Sequence, residues 1–318
     1  MGAVGASALI APPVFADNWP SRPIKMIVPY PPGGAADIIA RVVNNHLSDV
    51  LGVPLVVENR PGASTIIAAE ATARSEPDGY TLLIASTTTM CVIPNISGSK
   101  AQYDAKRDFT PISSVSRAPF FFMVPTTSDI KDLASLIAHA KAKPGSLSYG
   151  SNGLGSASHL GMLLFEKTSG IDMLHVPYKS ISLAGNDLLT GTINLVLGDL
   201  STVAGLVKDG RIRLIASASP QRSPLAPDIP TVAEATGIDI GDVGPWFGIL
   251  GPAKLPPEIV KRLNEGIRAF ASSDAARQTY NNISQLPLSS SPEEFAQLIQ
   301  SDSNRFAAII KENNITLE

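Results

Sequence analysis

The chain holds a single cysteine, Cys91, among its 318 residues, so no intramolecular disulfide can form and no paired-thiol redox or zinc motif exists. A small buried apolar residue near a strand end is the reading that fits such a cysteine. Histidines number four, and His46, His139, His159 and His175 are too dispersed for metal-ligand spacing; HExxH and GxSxG are both missing. His46 and His139 fall in amphipathic helical patterns and His175 in the strand-like HVPY, each read as packed or solvated, while His159 alone lies beside a glycine-rich turn. Charge is low and mixed: 25 basic against 28 acidic residues leave a net charge of -3, with no basic stripe to follow a phosphate backbone, which argues against nucleic acid as a partner. The apolar N-terminal run from Ala3 to Phe15 is too short to span a bilayer as a mature helix. It ends in VFAD, with Val14 and Ala16 at the positions a signal peptidase reads, and predicts a leader remnant over 1–16 cleaved after Ala16. Its basic n-region is missing, since no Lys or Arg precedes Arg22.

What is present is a core. Hydrophobic residues make up 44% and charged residues 17%, a composition that buries a sizeable interior, and the length favours two lobes over one. Apolar β-branched runs recur as IKMIVPY (24–30), PLVVEN (54–59), TLLIAS (81–86), FFFMVP (120–125), LSYGSN (147–152), MLHVPY (173–178), INLVLGD (193–199), IRLIASA (212–218) and WFGILGP (246–252). Helical spacing lies between most of them, as in Ile39, Val43, Leu47 and in Leu133, Leu136, Ile137, Ala140. This alternation predicts an α/β fold with largely parallel sheets. Two capped helices are expected near the end, one opening at Pro257 and Glu258, the other with Ser291 as N-cap, Pro292 as first residue and Glu294 as capping-box acid. The proline-rich SPLAPDIPTV (223–232) is the expected connection between lobes. No solenoid period, heptad seam or low-complexity tract occurs.

Two stretches carry chemistry. In VPYPPGGAADIIARVV (28–43), Pro31 and Pro32 stiffen a turn, Gly33 and Gly34 allow close backbone approach, and a helix from about Ala36 points unpaired amides back at them. That is an anion seat; carboxylate and phosphate suit it equally, and many such turns only join strand to helix. YGSNGLGSASHL (149–160) repeats the pattern, with Ser156 as N-cap and Gly170 as helix stop. One seat per lobe is the expectation. Gly150 and Gly155 have P-loop spacing, but Ser156 stands where the phosphate-binding Lys belongs, and the GxGxxG frame from Gly153 ends in Ser158, so nucleotide binding is demoted. A Ser151 or Ser156 nucleophile in a hydrolase is the weaker alternative. At strand ends, Thr87 and Thr88, Tyr178 and Lys179, and Asp199 are further contacts if the crevice lies at the carboxyl ends of the strands. Asp199 serves either a ligand or the cap of the next helix, and Asp37 is read as mainly structural.

The ordered set PSRPIKMIVPYPPGGAADIIAR, VVENRPGA, PDGYTLL, RDFTPIS, AKAKPGSLSYGSNGLGSASHL, HVPYKS, RSPLAPDIPTVAEATG and WFGILGPAKLPPEIVKRLN resembles the Bug-type periplasmic solute receptors of tripartite tricarboxylate transporters. The resemblance implies a type II periplasmic-binding-protein fold of two α/β lobes joined by crossover strands, non-catalytic, cofactor-free, metal-free, monomeric and periplasmic. It implies a small carboxylate ligand, mono- or dicarboxylate, aliphatic or aromatic, and delivery to the membrane subunits of a secondary transporter or, alternatively, docking on a sensor kinase. The ligand contacts it implies are Tyr30, Pro32, Gly33, Gly34, Ala35, Ala36, Ser86 and Thr87 in one lobe, and Ser151, Asn152, Gly153, Gly155, Ser156, Ala157, Ser158, Tyr178 and Asp199 in the other. The lobes are expected as 17–118 with 229–318, and 119–228, crossing outward near Ala118 to Pro125 and back between Ser219 and Trp246. Two departures are visible: Ser180 stands where the family commonly has Gly, and Ser64, Thr65 and Ile66 follow PGA where more glycine is common.

Overall fold

Strand alternation sorts the first sheet's side chains onto two faces. The computed structural model describes residues 19–96, 99–201 and 203–316, and the predicted leader at 1–16 lies outside them. β1 (Ile24–Val28), α1 (Ala35–Leu51), β2 (Leu55–Asn59), α2 (Ile66–Ala73) and β3 (Thr81–Ser86) are followed by a π turn at Thr88–Val92, a 3-10 turn at Ile93–Asn95 and β4 (Phe109–Arg117). Ile24, Met26 and Val28 pack under α1 with Ile39, Val43 and Leu47, while Ile27, Leu83 and Ala85 face the opposite layer, as a period of two requires.

The second sheet begins at β5 (Phe121–Pro125) and continues through α3 (Leu133–Ala142), β6 (Ser148–Ser151), α4 (Ala157–Ser169), β7 (Leu174–Pro177), α5 (Ile181–Thr190), β8 (Leu195–Gly198), α6 (Ala204–Lys208) and β9 (Ile212–Ser217), with α7 (Val232–Thr236) after it. Phe120, Phe122 and Val124 enter one core, and Phe121 and Met123 the other. The chain then returns through β10 (Trp246–Pro252), α8 (Pro257–Ala271), α9 (Asp274–Asn282), β11 (Leu286–Pro287) and α10 (Pro292–Glu312).

The two sheets repeat one plan. Their orders are β11-β4-β10-β3-β1-β2 and β7-β6-β8-β5-β9. In each, three parallel strands are followed by an antiparallel strand that arrives from the other lobe, β10 in the first and β5 in the second. The carboxyl ends of β1, β3, β6 and β8 therefore carry the turns that the sequence singled out. Among the described residues no helix is long and apolar enough to cross a membrane.

The crossing points are narrow. The Ala118 amide bonds to the Pro245 carbonyl at 2.9 Å, and Arg117 forms an ion pair with Asp242. The proline-rich stretch does not span the lobes: Leu225, Ala226 and Ile229 pack against the second-lobe core. Val232, Ile240 and Val243, which the sequence reading assigned to the return lobe from 229 onward, also lie in that core, beside Phe120. On this packing we place the return crossing at Gly244 to Trp246 and the outward one between β4 and β5.

Candidate functional site

The first turn is built around a buried carboxylate. α1 begins at Ala35 with Gly34 as N-cap, and no side chain caps it. Gly33 takes φ +86°, and its amide donates to Asp37 Oδ2 at 2.9 Å. Arg41 Nε donates to the same oxygen at 3.0 Å, and Asn59 Nδ2 reaches Asp37 Oδ1 and the Tyr30 carbonyl, each at 3.0 Å. Burial works against the Asp37 charge, but the hydrogen bonds from Arg41, Gly33 and Asn59 outweigh it and hold the carboxyl below its ordinary range. Asp37 is thus structural, as read, and Asn59 is a partner that sequence reasoning missed.

With Asp37 turned to Gly33, the amides of Gly34, Ala35 and Ala36 donate to no acceptor among the described residues. Pro32, Gly33 and Gly34 are exposed and Ala35 half-buried, while Ala36 is closed off beneath them. Beside them Tyr30 Oη pairs with Ser86 Oγ at 2.7 Å, and Ser86 Oγ also meets Thr89 Oγ1 at 3.2 Å. Burial raises the Tyr30 phenol, which keeps it neutral and able to donate. Thr87 behaves differently from the rest: it is 1% exposed, and its Oγ1 accepts the Trp246 amide at 3.0 Å. Its hydroxyl fastens the return strand.

The second turn is tied by its own side chains. Ser156 is the N-cap of α4, accepting the His159 amide, and Gly170 closes the helix with φ +64°. Ser151, fully buried, accepts the Gly153 amide at 3.1 Å and meets His175 Nε2 at 2.7 Å. Ser158 Oγ, equally buried, accepts the Asn152 amide at 3.0 Å. His159 Nδ1 accepts the Gly155 amide at 3.1 Å. The hydroxyls of Ser151 and Ser158 therefore shape the turn from beneath, and the amides of Leu154, Ala157 and Ser158 are those that donate to no acceptor among the described residues. Asn152 is exposed, and Gly153 and Ser156 are half-buried.

Tyr178 and Asp199 stand nearby with partners of their own. Tyr178 Oη donates to Asp187 Oδ2 at 2.7 Å, and a Cβ on Gly150 would meet the Tyr178 ring at 3.2 Å. Asp199 Oδ1 accepts the Ser201 amide at 2.9 Å and the Ser201 hydroxyl, closing a turn and capping no helix. Ser180, the departure noted in the sequence, is the N-cap of α5 and accepts the Leu183 amide at 3.3 Å. A groove of about 550 Å³ between Leu255, Val260, Lys261, Pro292 and Glu293 shares no residue with either turn.

The Ser151–His175 contact has the geometry of a nucleophile and base, but the surroundings deny that chemistry. Ser151 has no exposed surface, and burial lowers the His175 imidazole to about 4, far from the value a general base needs near neutrality.

A family model described as the tripartite tricarboxylate transporter family receptor matches residues 39–315. Protein BugT of Bordetella pertussis is 35% identical over 313 residues, covering 98% of this chain and 96% of that protein. A TctC solute binding protein from Polaromonas, solved without ligand, has a TM-score of 0.83 at 27% identity and covers 93% of this chain and all of that one, 100%. An R. palustris protein solved with adipate has a TM-score of 0.78 at 31% identity, covering 94% of this chain and 99% of that one. The fold is the two-lobed type II periplasmic-binding-protein arrangement.

Proposed function

Since the chain belongs to the tripartite tricarboxylate transporter receptor family, we propose that it is a periplasmic receptor that captures a small dicarboxylate between its two glycine turns and hands it to the membrane subunits of a transporter. The family is one of non-catalytic solute-binding receptors. The observation that carries the ligand class is the pair of helix N-termini, α1 and α4, whose leading amides have no protein acceptor among the described residues. Amides of this kind, with the helix dipole behind them, favour an anion by about 0.3–1 kcal/mol at an exposed terminus and more when water is excluded. The relative solved with adipate supports a dicarboxylate.

Capture works by closure. Each lobe offers one turn, and the ligand gains both sets of amides only when the lobes approach, so binding shifts an open-to-closed equilibrium by its difference in affinity for the two states. Tyr30 and Ser86 add neutral donors that orient the ligand without a competing charge. The test is a thermal-shift screen of the full chain against adipate, malate, succinate, benzoate and an uncharged diol control. A ligand that binds only the folded state raises the melting temperature by mass action. Shifts with the dicarboxylates and none with the diol support the reading, and equal responses to all compounds would overturn it.

A further inference from the structure

Three aromatic rings are stacked beneath the second turn. Tyr149 on β6 stacks on His175 on β7 with centroids 5.1 Å apart, and His175 stacks on His159 in the first turn of α4 at 4.0 Å and 17° between planes. Strand pairing places the first two side by side, because Tyr149 is directly opposite His175 in the β6–β7 register. His159 arrives from above because Ser156 caps α4 three residues earlier.

We infer that His159 and His175 are the positioning residues of the second turn, each neutral imidazole holding one of its two left-handed glycines. This rests on the reading of that turn as half of the ligand seat. Gly155 has φ +71° and Gly153 φ +105°. The Gly155 amide donates to His159 Nδ1, so that nitrogen is a lone-pair acceptor and the ring proton sits on Nε2. The Gly153 amide donates to Ser151 Oγ, and Ser151 is fixed by His175 Nε2. A side chain at Gly155 would also be crowded, since a Cβ there would meet Ile96 of the first lobe at 3.1 Å.

Protonation undoes this arrangement. A proton on His159 Nδ1 would set donor against donor at Gly155, and a charge on either ring would sit at least partly buried, 4.0 Å from the other imidazole. Burial and the neighbouring His175 lower His159 to about 4, and burial lowers His175 to about 4. The other ionisable groups around the stack are Tyr149 itself, Glu166 on α4 beside Tyr149, and Asp172 beyond Glu166. Tyr149 is pushed up by burial and stays neutral. The turn therefore keeps one shape across the range in which an ordinary histidine, with a value near 6.5, would change charge.

The test uses the ligand-free full chain, labelled with 15N, titrated from pH 8 to pH 3.5 while the imidazole nitrogens and the Gly153 and Gly155 amides are followed by NMR. The expected result is an unprotonated His159 Nδ1 at pH 7, midpoints for both rings near 4, and a Gly155 amide shift that moves with the His159 midpoint. His159→Gln, whose side-chain oxygen can still accept from Gly155, should keep the amide protected. His159→Phe, which keeps a ring but no acceptor, should speed hydrogen exchange at Gly155 at least tenfold. A His159 midpoint near 6.5, a Gly155 shift indifferent to it, or equal protection in the Phe and Gln variants would overturn the inference. Should His159→Phe fail to fold, the wild-type titration decides alone. No carboxylate is used, so a failed ligand screen and a failed positioning role are separate results.

Discussion

Asp37 and Gly33 are joined by a hydrogen bond of 2.9 Å that runs backward from the first turn of α1 into the loop before it. The charge of the acidic residue beside the proposed seat is thereby shared between a backbone amide, Asn59 and Arg41. Asp37→Ala should cost about 1–3 kcal/mol, because Gly33 and Asn59 each lose an ionised acceptor in a buried place. The sign of the pH dependence follows from the lowered carboxyl. Its stabilisation is present above the unfolded-state value, near 3.9, and is lost as pH falls through the folded one. Urea unfolding at pH 7 and pH 3 should show the gap between wild type and variant narrowing in acid; an unchanged gap would reject the charge-dependent account.

Gly33 and Gly34 should respond differently to the same substitution. Gly34 has φ -80°, and a Cβ there would meet only the Pro31 carbonyl at 3.8 Å, so Gly34→Val fits the fold and costs about 1 kcal/mol or less as a poorer N-cap. Its isopropyl group would cover the free amides of α1. Calorimetric titration with whichever dicarboxylate the thermal-shift screen identifies should show binding lost while the circular dichroism spectrum is kept. Gly33→Val, forced to φ +86°, should lose stability as well. Unchanged affinity in a folded Gly34→Val protein would remove the first seat from the proposal.

The local features of this fold were legible because they depend on neighbours in sequence. Ser156, Ser291 and Glu294 cap helices as their spacing foretold, and FFFMV alternates between two cores. β4 escaped notice because FTPISSVSR reads as polar. Its buried serines are satisfied from far along the chain, Ser114 by Ser290 and Ser116 by Gln285. The same limit applied at the site. Both turns could be read from glycines and helix starts, but the partners of Ser151, Ser158 and Thr87 are His175, the Asn152 amide and the Trp246 amide. Of these only the Asn152 contact lies within a few residues. The other two arise from β6–β7 pairing and from the return strand, which no window of sequence contains.

The two crossover segments leave no space for a methyl group at Gly244. A Cβ there would strike the Ala118 carbonyl oxygen, in the segment whose amide bonds to Pro245 at 2.9 Å. Gly244→Ala should therefore separate the segments and destabilise by about 1–3 kcal/mol, the usual cost of overpacking. Denaturant unfolding measures it directly, and a neutral result would mean that the crossing is looser than its contacts indicate.

Ala63, Ser64 and Thr65 all take positive φ, at 45°, 51° and 83°, in the loop where the sequence departs from the glycine-rich pattern. Left-handed conformation costs a non-glycine residue about 1–2 kcal/mol, against roughly 0.5–1 kcal/mol of extra chain entropy that glycine loses on folding. Ser64 is exposed, so Ser64→Gly changes little else. A stability gain of up to about 1 kcal/mol is expected in thermal unfolding, and a clear loss would show that the serine side chain contributes something its exposure hides.

Glu166 gives the fold a pH dependence opposite to that of Asp37. Burial raises its carboxyl to about 7, although the Met173 amide donates to Oε1 at 2.8 Å. A carboxyl whose folded value lies above the unfolded one, near 4.3, contributes stability that is complete below about pH 4 and is lost as pH rises through 7. Glu166→Gln keeps an oxygen for Met173 and removes the charge, so it should leave stability at pH 4.5 nearly unchanged and raise it at pH 8 by up to about 3 kcal/mol. Denaturant midpoints at the two pH values separate this from a general packing effect, which would shift both alike. The Tyr149–His175–His159 stack adjoins this carboxyl, so the same variant also reports whether its charge reaches the second turn: the Gly155 amide should follow the His159 midpoint near 4 in both proteins, and a response near 7 in the wild type alone would show that the Glu166 charge is felt there.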